Sequence, residues 1–293
     1  MIEEEINGIN YRLDEDNLTA EVIEKTYNRY MGDIMIPEIV VFDELTYRVE
    51  RIGDMAFYEC YSLTSITIPN SVKSIGRSAF SYCESLTSIT IPDSITSIGE
   101  ETFLDCESLT SITIPDGVTS IGDWAFAGCE SLTSITIPKR VTSIGRNVFV
   151  RCSSITSIVV EEGNTVYDSR KNCNAIIETR SNVLMYGCKT TIIPNSVEKI
   201  GYRAFAGCKS LTTIVVSDGV WLIDKQAFSD CESLTSITIP ERVTIIGSRA
   251  FSHCESLTSI TFQGTVAQWE TIVLYNGLDE DIPVHCTDGD VEM

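Results

Sequence analysis

The sequence predicts a mainly β, right-handed solenoid of about ten coils, with a parallel sheet, short helical turns and a cap at each end. Two observations predict it. Cysteines recur every 23 residues, at Cys60, Cys83, Cys106, Cys129 and Cys152, and again at Cys208, Cys231 and Cys254. The residues between them repeat almost unchanged, as in CESLTSITIPDSITSIGEETFLDC. A fixed period of this length is typical of stacked repeats, so we expect long surfaces rather than deep clefts.

The composition is that of a globular chain large enough to bury a core. It has 293 residues, 43% of them hydrophobic and 22% charged. Length alone would suggest about two domains. The repeat predicts one continuous solenoid instead, because a stack of coils grows without internal boundaries. We expect an N-terminal cap with a hairpin and a degenerate first coil at 1–52, a solenoid at 53–262 and a C-terminal cap at 263–293.

Each coil begins with a predicted strand. In the coil that starts at Leu86, the apolar residues Ile89 and Ile91 alternate with Ser88 and Thr90, so the two sets face opposite sides. The strand pattern L-x-x-I-x-I is that of a leucine-rich repeat. A proline then ends the strand, since it cannot donate a ladder hydrogen bond.

The rest of the coil predicts a bend and a compact turn. Ile95 and Ile98 form a second short extended segment, and Gly99 follows, where a glycine permits a positive φ and a sharp bend. Apolar spacing over 101–106 fits one short helical turn with a buried side. Stacked phenylalanines are expected to dominate the core: Phe57, Phe80, Phe103, Phe126, Phe149, Phe205, Phe228 and Phe251.

Both ends need caps, because a solenoid otherwise exposes unpaired strand edges. Residues 9–13 and 18–23 predict a β-hairpin that leads into a degenerate strand at 34–37. Residues 265–272 predict a short amphipathic helix, with Trp269 over the last coil. A final strand is predicted at 283–286.

One repeat, at 161–194, is longer than the others. Two extended runs around a polar turn within 164–179 predict a hairpin that protrudes from the stack. Insertions of this kind often lie on a binding face. A spacer or folding role for the hairpin is left open.

The repeat L-x-x-I-x-I-P-x-x-V-x-x-I-G-x-x-A-F-x-x-C resembles the BspA-type (Treponema pallidum-type) leucine-rich repeat. It matches at 63–83, 86–106, 109–129, 132–152, 211–231 and 234–254, with Thr102 and Ser217 as departures from the pattern. The longer unit from Tyr167 to Cys188 and the ending at 284–289 resemble Bacteroidetes members. The resemblance covers essentially the whole chain and implies the fold.

For function, the resemblance implies a surface or secreted bacterial protein that binds host proteins or other bacteria. It supplies no catalytic residues. The N-terminal residues MIEEEINGIN lack a basic segment followed by an apolar one, so no signal peptide is expected in this chain. A cytoplasmic location is therefore the alternative to the cell surface.

Composition argues against several classes of function. A net charge of -21 disfavours nucleic acid and anionic membranes as partners. The chain has two histidines, His253 and His285, and no P-loop, HExxH or EF-hand pattern. We expect no enzyme, no cofactor and no metal site, and we expect the cysteine column to be buried, structural and free of disulfides.

The candidate ligand face is the outward side of the predicted sheet. Its serines and threonines give way to Val159 and Val215 on either side of the long repeat, so an apolar patch is expected beside the hairpin. The hairpin adds Tyr167, Arg170 and Lys171 as anchors. The complete predicted face is Ser111, Thr113, Ser134, Thr136, Ser157, Val159, Thr213, Val215, Tyr167, Arg170 and Lys171.

Three functions fit this face. The first is a protein-binding or adhesion module for a host matrix or serum protein. The second is a structural spacer or stalk. The third is a threonine array that binds carbohydrate or ice. The sequence names no partner and leaves the oligomeric state open, because fold-level analogy alone does not determine function.

Overall fold

The computed structural model describes residues 1–25, 27–276, 278 and 282–291. It divides into two compact units, Met1–Cys152 and Ser153–Met293. Short parallel strands and turns dominate both, with about ten turns of solenoid at the 23-residue spacing. The predicted fold class is therefore confirmed, while the predicted cap boundaries remain predictions.

The first unit opens with the longer strands of the N-terminal cap and continues with the short strands of the coils. Its strands are β1 (Ile2–Ile6), β2 (Ile9–Asp14), β3 (Thr19–Val22), β4 (Gly32–Met35), β5 (Ile39–Phe42), β6 (Leu45–Ile52), β7 (Leu63–Thr67), β8 (Ser74–Ile75), β9 (Ser88–Thr90), β10 (Ser97–Ile98), β11 (Ser111–Thr113), β12 (Ser120–Ile121), β13 (Ser134–Ile137) and β14 (Ser143–Ile144).

In this unit, β2 and β3 form the predicted antiparallel hairpin, and β1 extends it by one strand. Strands β4, β7, β9 and β11 pair in parallel. The second strands of the coils, β10, β12 and β14, form another parallel sheet. Each coil therefore contributes one strand to each of two parallel sheets.

The second unit combines parallel coils with the long repeat and the C-terminal cap. Its elements are β15 (Ser157–Val160), β16 (Tyr167–Asp168), a 3-10 turn (Arg170–Asn172), β17 (Ala175–Glu178), β18 (Val183–Gly187), β19 (Lys199–Ile200), β20 (Thr213–Val215), β21 (Leu222–Ile223), β22 (Ser236–Ile239), β23 (Ile245–Ile246), β24 (Ser259–Phe262), α1 (Val266–Trp269), β25 (Val273–Leu274), β26 (Val284–Cys286) and β27 (Gly289–Asp290).

The C-terminal cap has the predicted helix and final strand. Thr265 caps α1 through a hydrogen bond from the Gln268 backbone nitrogen, and Gln268 reciprocates as in a capping box. Trp269 is buried and packs edge-on against Phe262, with ring centroids 5.2 Å apart. The last strand, β26, pairs in parallel with β24.

The phenylalanine columns are buried as predicted. In the first unit, Phe80, Phe103 and Phe126 stack with centroids 5.5 and 5.4 Å apart and are 0% exposed. In the second unit, Phe205 and Phe228 stack at 4.9 Å. Because each ring contacts the ring of the next coil, the column joins the coils through their apolar centre.

The segment before each cysteine is a pair of tight turns rather than a helix. The Ser81 and Cys83 N–H groups donate to the backbone oxygens three residues earlier, while Phe80 N–H donates to Thr102 O in the next coil. Ser78 and Tyr82 have positive φ, which prevents a continuous helix here. The turns thus donate hydrogen bonds between coils, as strands do.

The glycine after the second strand of a coil does not use the positive φ that a glycine permits. Gly99 and Gly122 are both outside the left-handed region. A Cβ at Gly122 would instead lie 2.5 Å from the Glu100 nitrogen. Close approach of one coil to the backbone of the preceding coil therefore requires this glycine.

The prediction that the hairpin of the long repeat protrudes from the stack was wrong. β16 pairs with β17, and β17 with β18, all antiparallel. Ala175, Ile176 and Ile177 are 0% exposed, and Cys173 belongs to the core cluster of this unit. Apolar side chains on both sides of β17 place the hairpin within the core.

Candidate functional site on the outward strand face

The first unit carries a regular column of hydroxyl side chains. Its strands pair in register, so that Ser111 lies beside Ser88 and Thr113 beside Thr90. These four side chains are exposed, and Ser134 and Thr136 are exposed on β13 in the same phase. The predicted site residues of this unit therefore lie on the outward side of their strands.

The second unit carries the apolar part of the predicted face. On β15, Ser157 is half-buried and Val159 is 42% exposed. On β20, Thr213 is exposed and Val215 is 63% exposed. Val215 pairs with Thr238 in the next coil, which places the valine in the outward threonine position.

A third apolar residue occupies the same position in the long repeat. Ile192 is 76% exposed, the largest exposed fraction of the three apolar side chains. It stands two residues before Pro194, as Thr67 and Thr90 stand two residues before Pro69 and Pro92. Together, Val159, Ile192 and Val215 form the apolar column of the second unit.

Two hydrogen bonds show which segments lie beside the one that carries Ile192. The Ser217 hydroxyl donates to Pro194 O at 3.0 Å, which aligns the turn after Val215 with the turn after Ile192. The Thr190 hydroxyl donates to Thr156 O at 2.6 Å, which places the segment leading to Ile192 beside the start of β15. The segment with Ile192 thus contacts both neighbouring coils.

The structure separates the three predicted anchors of the hairpin. Tyr167 is 5% exposed and serves the core, so it does not act as an exposed anchor. Arg170 is half-buried, while Lys171 is exposed at a φ of 60°. The Arg170 Nη1 atom donates to Ser196 Oγ at 3.3 Å, two residues past Pro194. Arg170 therefore lies at the end of the segment that carries Ile192.

Arg170 is held by a carboxylate. It donates through Nε and Nη2 to the two carboxylate oxygens of Asp168, at 2.7 and 2.6 Å. Burial raises the pKa of Asp168, but hydrogen bonds from Arg170 and Thr179 outweigh this and lower it below its ordinary value. Arg170 and Asp168 thus form a bidentate ion pair. The Arg170 guanidinium also donates hydrogen bonds to Asn182 and Ser196.

Sequence reasoning missed Ile192 because the long repeat has a different spacing. In a regular coil the proline follows the cysteine by nine residues, as from Cys83 to Pro92, whereas Pro194 follows Cys188 by six. Alignment on the cysteine therefore hides the outward position. Alignment on the proline would have found it.

Side chains that could ligate a metal ion do not cluster in the described part of the chain. No group of three or more His, Cys, Asp or Glu side chains among them is placed to hold a metal. His285 Nδ1 lies 2.7 Å from Asp290 Oδ1 in the C-terminal cap, while His253 is exposed in a repeat turn. Within the described part of the chain, no helix is long and apolar enough to cross a membrane.

A family profile described as BspA type Leucine rich repeat region matches residues 50–176 and 181–280 in six copies. The chain belongs to the BspA-type leucine-rich repeat family. This confirms the resemblance predicted from the repeat. A comparison with curated proteins gave no significant match.

Solved bacterial leucine-rich repeat proteins have similar structures. A leucine-rich repeat protein of Bacteroides ovatus is 27% identical, with a TM-score of 0.62 over 97% of this chain and 71% of that one. A leucine rich cell surface protein of Faecalibacterium prausnitzii is 28% identical, with a TM-score of 0.50 over 93% and 98%. The T. pallidum leucine-rich repeat protein, 24% identical over 80% and 91% with a TM-score of 0.51, shares the fold.

Proposed function

We propose that this protein is a non-enzymatic protein-binding module that recognises a host or bacterial protein through the outward face of its second unit. The observation that supports this proposal is the apolar column. Three β-branched side chains, 42%, 76% and 63% exposed, stand where regular coils carry threonine. Exposed apolar patches on a soluble fold often mark interaction sites.

The chemistry of the column fits a protein ligand. Uniform hydroxyl surface converts poorly to affinity, because binding energy concentrates in desolvated anchors. The apolar column supplies such area, and Arg170 and Lys171 supply cationic groups within the same unit. A ligand that covers Ile192 and contributes a carboxylate to Lys171 would use both features.

Location at the cell surface is part of the proposal. It is supported by the similar Faecalibacterium prausnitzii protein, which is described as a cell surface protein. Adhesion to a host matrix or serum protein is the corresponding activity. A role as a spacer or stalk would leave the apolar column without a ligand.

The test converts the apolar column to the residue that regular coils carry. A Val159→Thr, Ile192→Thr, Val215→Thr variant keeps β-branched side chains and should fold normally. Wild type and variant are compared by surface plasmon resonance against a panel of purified matrix and serum proteins. We expect at least one protein to bind the wild type and to bind the variant at least tenfold more weakly.

The matched control is Thr113→Lys, which alters an exposed outward position in the first unit. It should leave binding unchanged. Equal affinity of the wild type and the triple threonine variant would refute the placement of the site. Loss of binding only in Thr113→Lys would move the site to the hydroxyl column of the first unit.

A further inference from the structure

The N-terminal cap has an edge strand of unusual composition. β5 has the sequence Ile39-Val40-Val41-Phe42, and its described hydrogen-bonded neighbour is β6. Ile39 and Val41 are 53% and 59% exposed, while Val40 is buried. Short apolar β-branched edges are sites where another chain can add a strand.

The hydrogen-bond register shows which backbone groups of β5 point outward. Val49 N–H donates to Glu38 O, so Glu38 belongs to a hydrogen-bonded pair of the ladder with β6. Because such pairs alternate along antiparallel strands, Val40 and Phe42 also bond to β6, while Ile39 and Val41 direct their backbone groups away from it. Within the described residues, neither Ile39 nor Val41 forms a backbone hydrogen bond on that outer side.

The other edge of the same cap is protected. β1, at the far end of the sheet, has the sequence Ile2-Glu3-Glu4-Glu5-Ile6. Consecutive carboxylates repel an approaching strand and discourage edge pairing. The two edge strands of this sheet therefore differ in composition: β1 is acidic, whereas β5 is apolar and β-branched.

The charges beside β5 indicate what can pair with it. Glu38 precedes the strand, and Asp43 and Glu44 follow it in a turn with φ values of 47° and 65°. All three are exposed, and none forms an ion pair with another described residue. Antiparallel pairing of two β5 strands would bring Glu38 of one copy towards Asp43 of the other, so like charges oppose self-association.

We propose that the outer edge of β5 binds an extended segment of a partner protein, with alternating β-branched apolar residues and with lysine or arginine at both ends. The N–H and C=O groups of Ile39 and Val41 would each pair with the incoming strand. Its outward side chains would cover those of Ile39 and Val41. Its basic ends would neutralise Glu38 at one end and Asp43 and Glu44 at the other.

The test uses a synthetic peptide in which alternating valine and threonine residues lie between pairs of lysines. Binding to the full chain is measured by isothermal titration calorimetry. Val41→Pro removes the outward N–H, and proline is tolerated at such positions of edge strands. Val41→Thr is the matched control, because it keeps the N–H and a β-branched side chain.

We expect the peptide to bind the wild type and Val41→Thr similarly, and to bind Val41→Pro at least tenfold more weakly. A peptide N-methylated on its pairing edge should also bind at least tenfold more weakly, a result that does not depend on whether Val41→Pro folds. The triple threonine variant of the apolar column should bind the peptide normally, which separates this proposal from the proposed function.

Three results would overturn the proposal. The first is equal affinity for Val41→Pro and Val41→Thr. The second is equal binding of a scrambled peptide with prolines among the same lysines, since the net charge alone would then explain it. The third is a wild-type dimer, detected by light scattering and absent in Val41→Pro, because the occupant would then be a second copy of this chain.

Discussion

The thiol of Cys129 donates a hydrogen bond to the backbone oxygen of Phe103 in the preceding coil, with 3.3 Å between Sγ and O. The same offset of 26 residues joins Cys83 to Phe57 and Cys231 to Phe205, each at 3.2 Å. The cysteine therefore combines a small apolar side chain with a weak donor that reaches the neighbouring turn. This explains a cysteine column in physical terms without any redox role.

Removal of one of these thiols should destabilise the protein modestly. Cys129→Ala loses both the buried sulfur, which is 0% exposed, and the hydrogen bond to Phe103. We expect a loss of about 1–3 kcal/mol in the free energy of unfolding, measured with urea. Cys286→Ala, at a half-buried position in the cap, is the control and should cost less. Equal losses would contradict a special role for the column.

The thiols should be free and unreactive in the native protein. None of the eleven cysteines forms a disulfide in the structure. Burial, and then the neighbouring thiols, raise the pKa of Cys129 well above its ordinary value, and burial raises that of Cys60 to about 11. Since the thiolate is the reactive form, a thiol reagent at pH 8 should label the column slowly.

The same reagent should label most of the eleven cysteines once the non-reduced protein is unfolded in denaturant. A count near zero under those conditions would show that disulfides had formed. Fast labelling of the folded protein would show instead that the column is open to solvent.

Local pattern was sufficient to predict the regular coils. The inward isoleucines, the phenylalanine column and the outward threonines follow from strand alternation and from a constant period. The caps were also predictable in part, because clear turn residues separate β2 from β3 and indicate a hairpin. The strands β1 and β5 were missed although each forms a local hairpin, in which Ile6 pairs with Ile9 and Phe42 pairs with Leu45. The Asn7-Gly8 turn is a sequence signal for the first of these hairpins, whereas Asp43-Glu44 is a weaker one.

The candidate site was less predictable than the fold. Val159 and Val215 stand out against repeated threonine, whereas Ile192 is hidden by the shortened segment after Cys188. Tyr167 looks like an exposed anchor in the sequence but is 5% exposed, because the hairpin enters the core. Whether an inserted hairpin protrudes or packs depends on tertiary contacts that periodicity does not report.

The phenylalanine column should dominate stability. Phe126 is 0% exposed and stacks between Phe103 and Phe149, with centroids 5.4 and 5.8 Å away. Phe126→Ala should lower the free energy of unfolding by about 3–5 kcal/mol, since it removes a buried ring and leaves a cavity. Tyr61→Ala, at a 47% exposed aromatic, is the control and should cost far less. A tolerated Phe126→Ala would show that the column does not hold the coils together.

Two glycines at the same repeat position should differ in their tolerance of a methyl group. A Cβ at Gly122 would lie 2.5 Å from the Glu100 nitrogen and 2.7 Å from the Gly99 carbonyl carbon, both backbone atoms. At Gly99 the nearest atom would be the Thr102 hydroxyl oxygen at 3.2 Å, and the nearest backbone atom, Gly76 O, would lie 3.7 Å away. Gly122→Ala should therefore cost about 1–3 kcal/mol and more than Gly99→Ala, as measured by thermal unfolding. The reverse order would contradict the close approach of the coils.

Stability should also depend on pH through a group of acidic side chains in the first unit. Partial loss of hydration, and then the negative charges of Glu84, Glu130 and Asp105, raise the pKa of Glu107. Arg151 offsets the repulsion only in part, with Nη1 3.5 Å from Asp105 Oδ1 and Nη2 3.7 Å from Glu130 Oε1. Ionised Glu107 therefore destabilises the folded protein at neutral pH, and protonation relieves this as the pH falls through the raised pKa.

Glu107→Gln should accordingly stabilise the protein at pH 7, by less than about 1 kcal/mol because Glu107 is exposed to water. The gain should shrink as the pH falls through the raised pKa and should vanish below about 4, where the carboxyl is protonated in both the folded and the unfolded state. It should also shrink in 1 M salt, which screens exposed charges. Urea unfolding at each pH measures the effect, with the exposed Glu162→Gln as the matched control. A gain that increased towards low pH would reverse the sign required by the raised pKa and would exclude repulsion among these carboxylates as its cause.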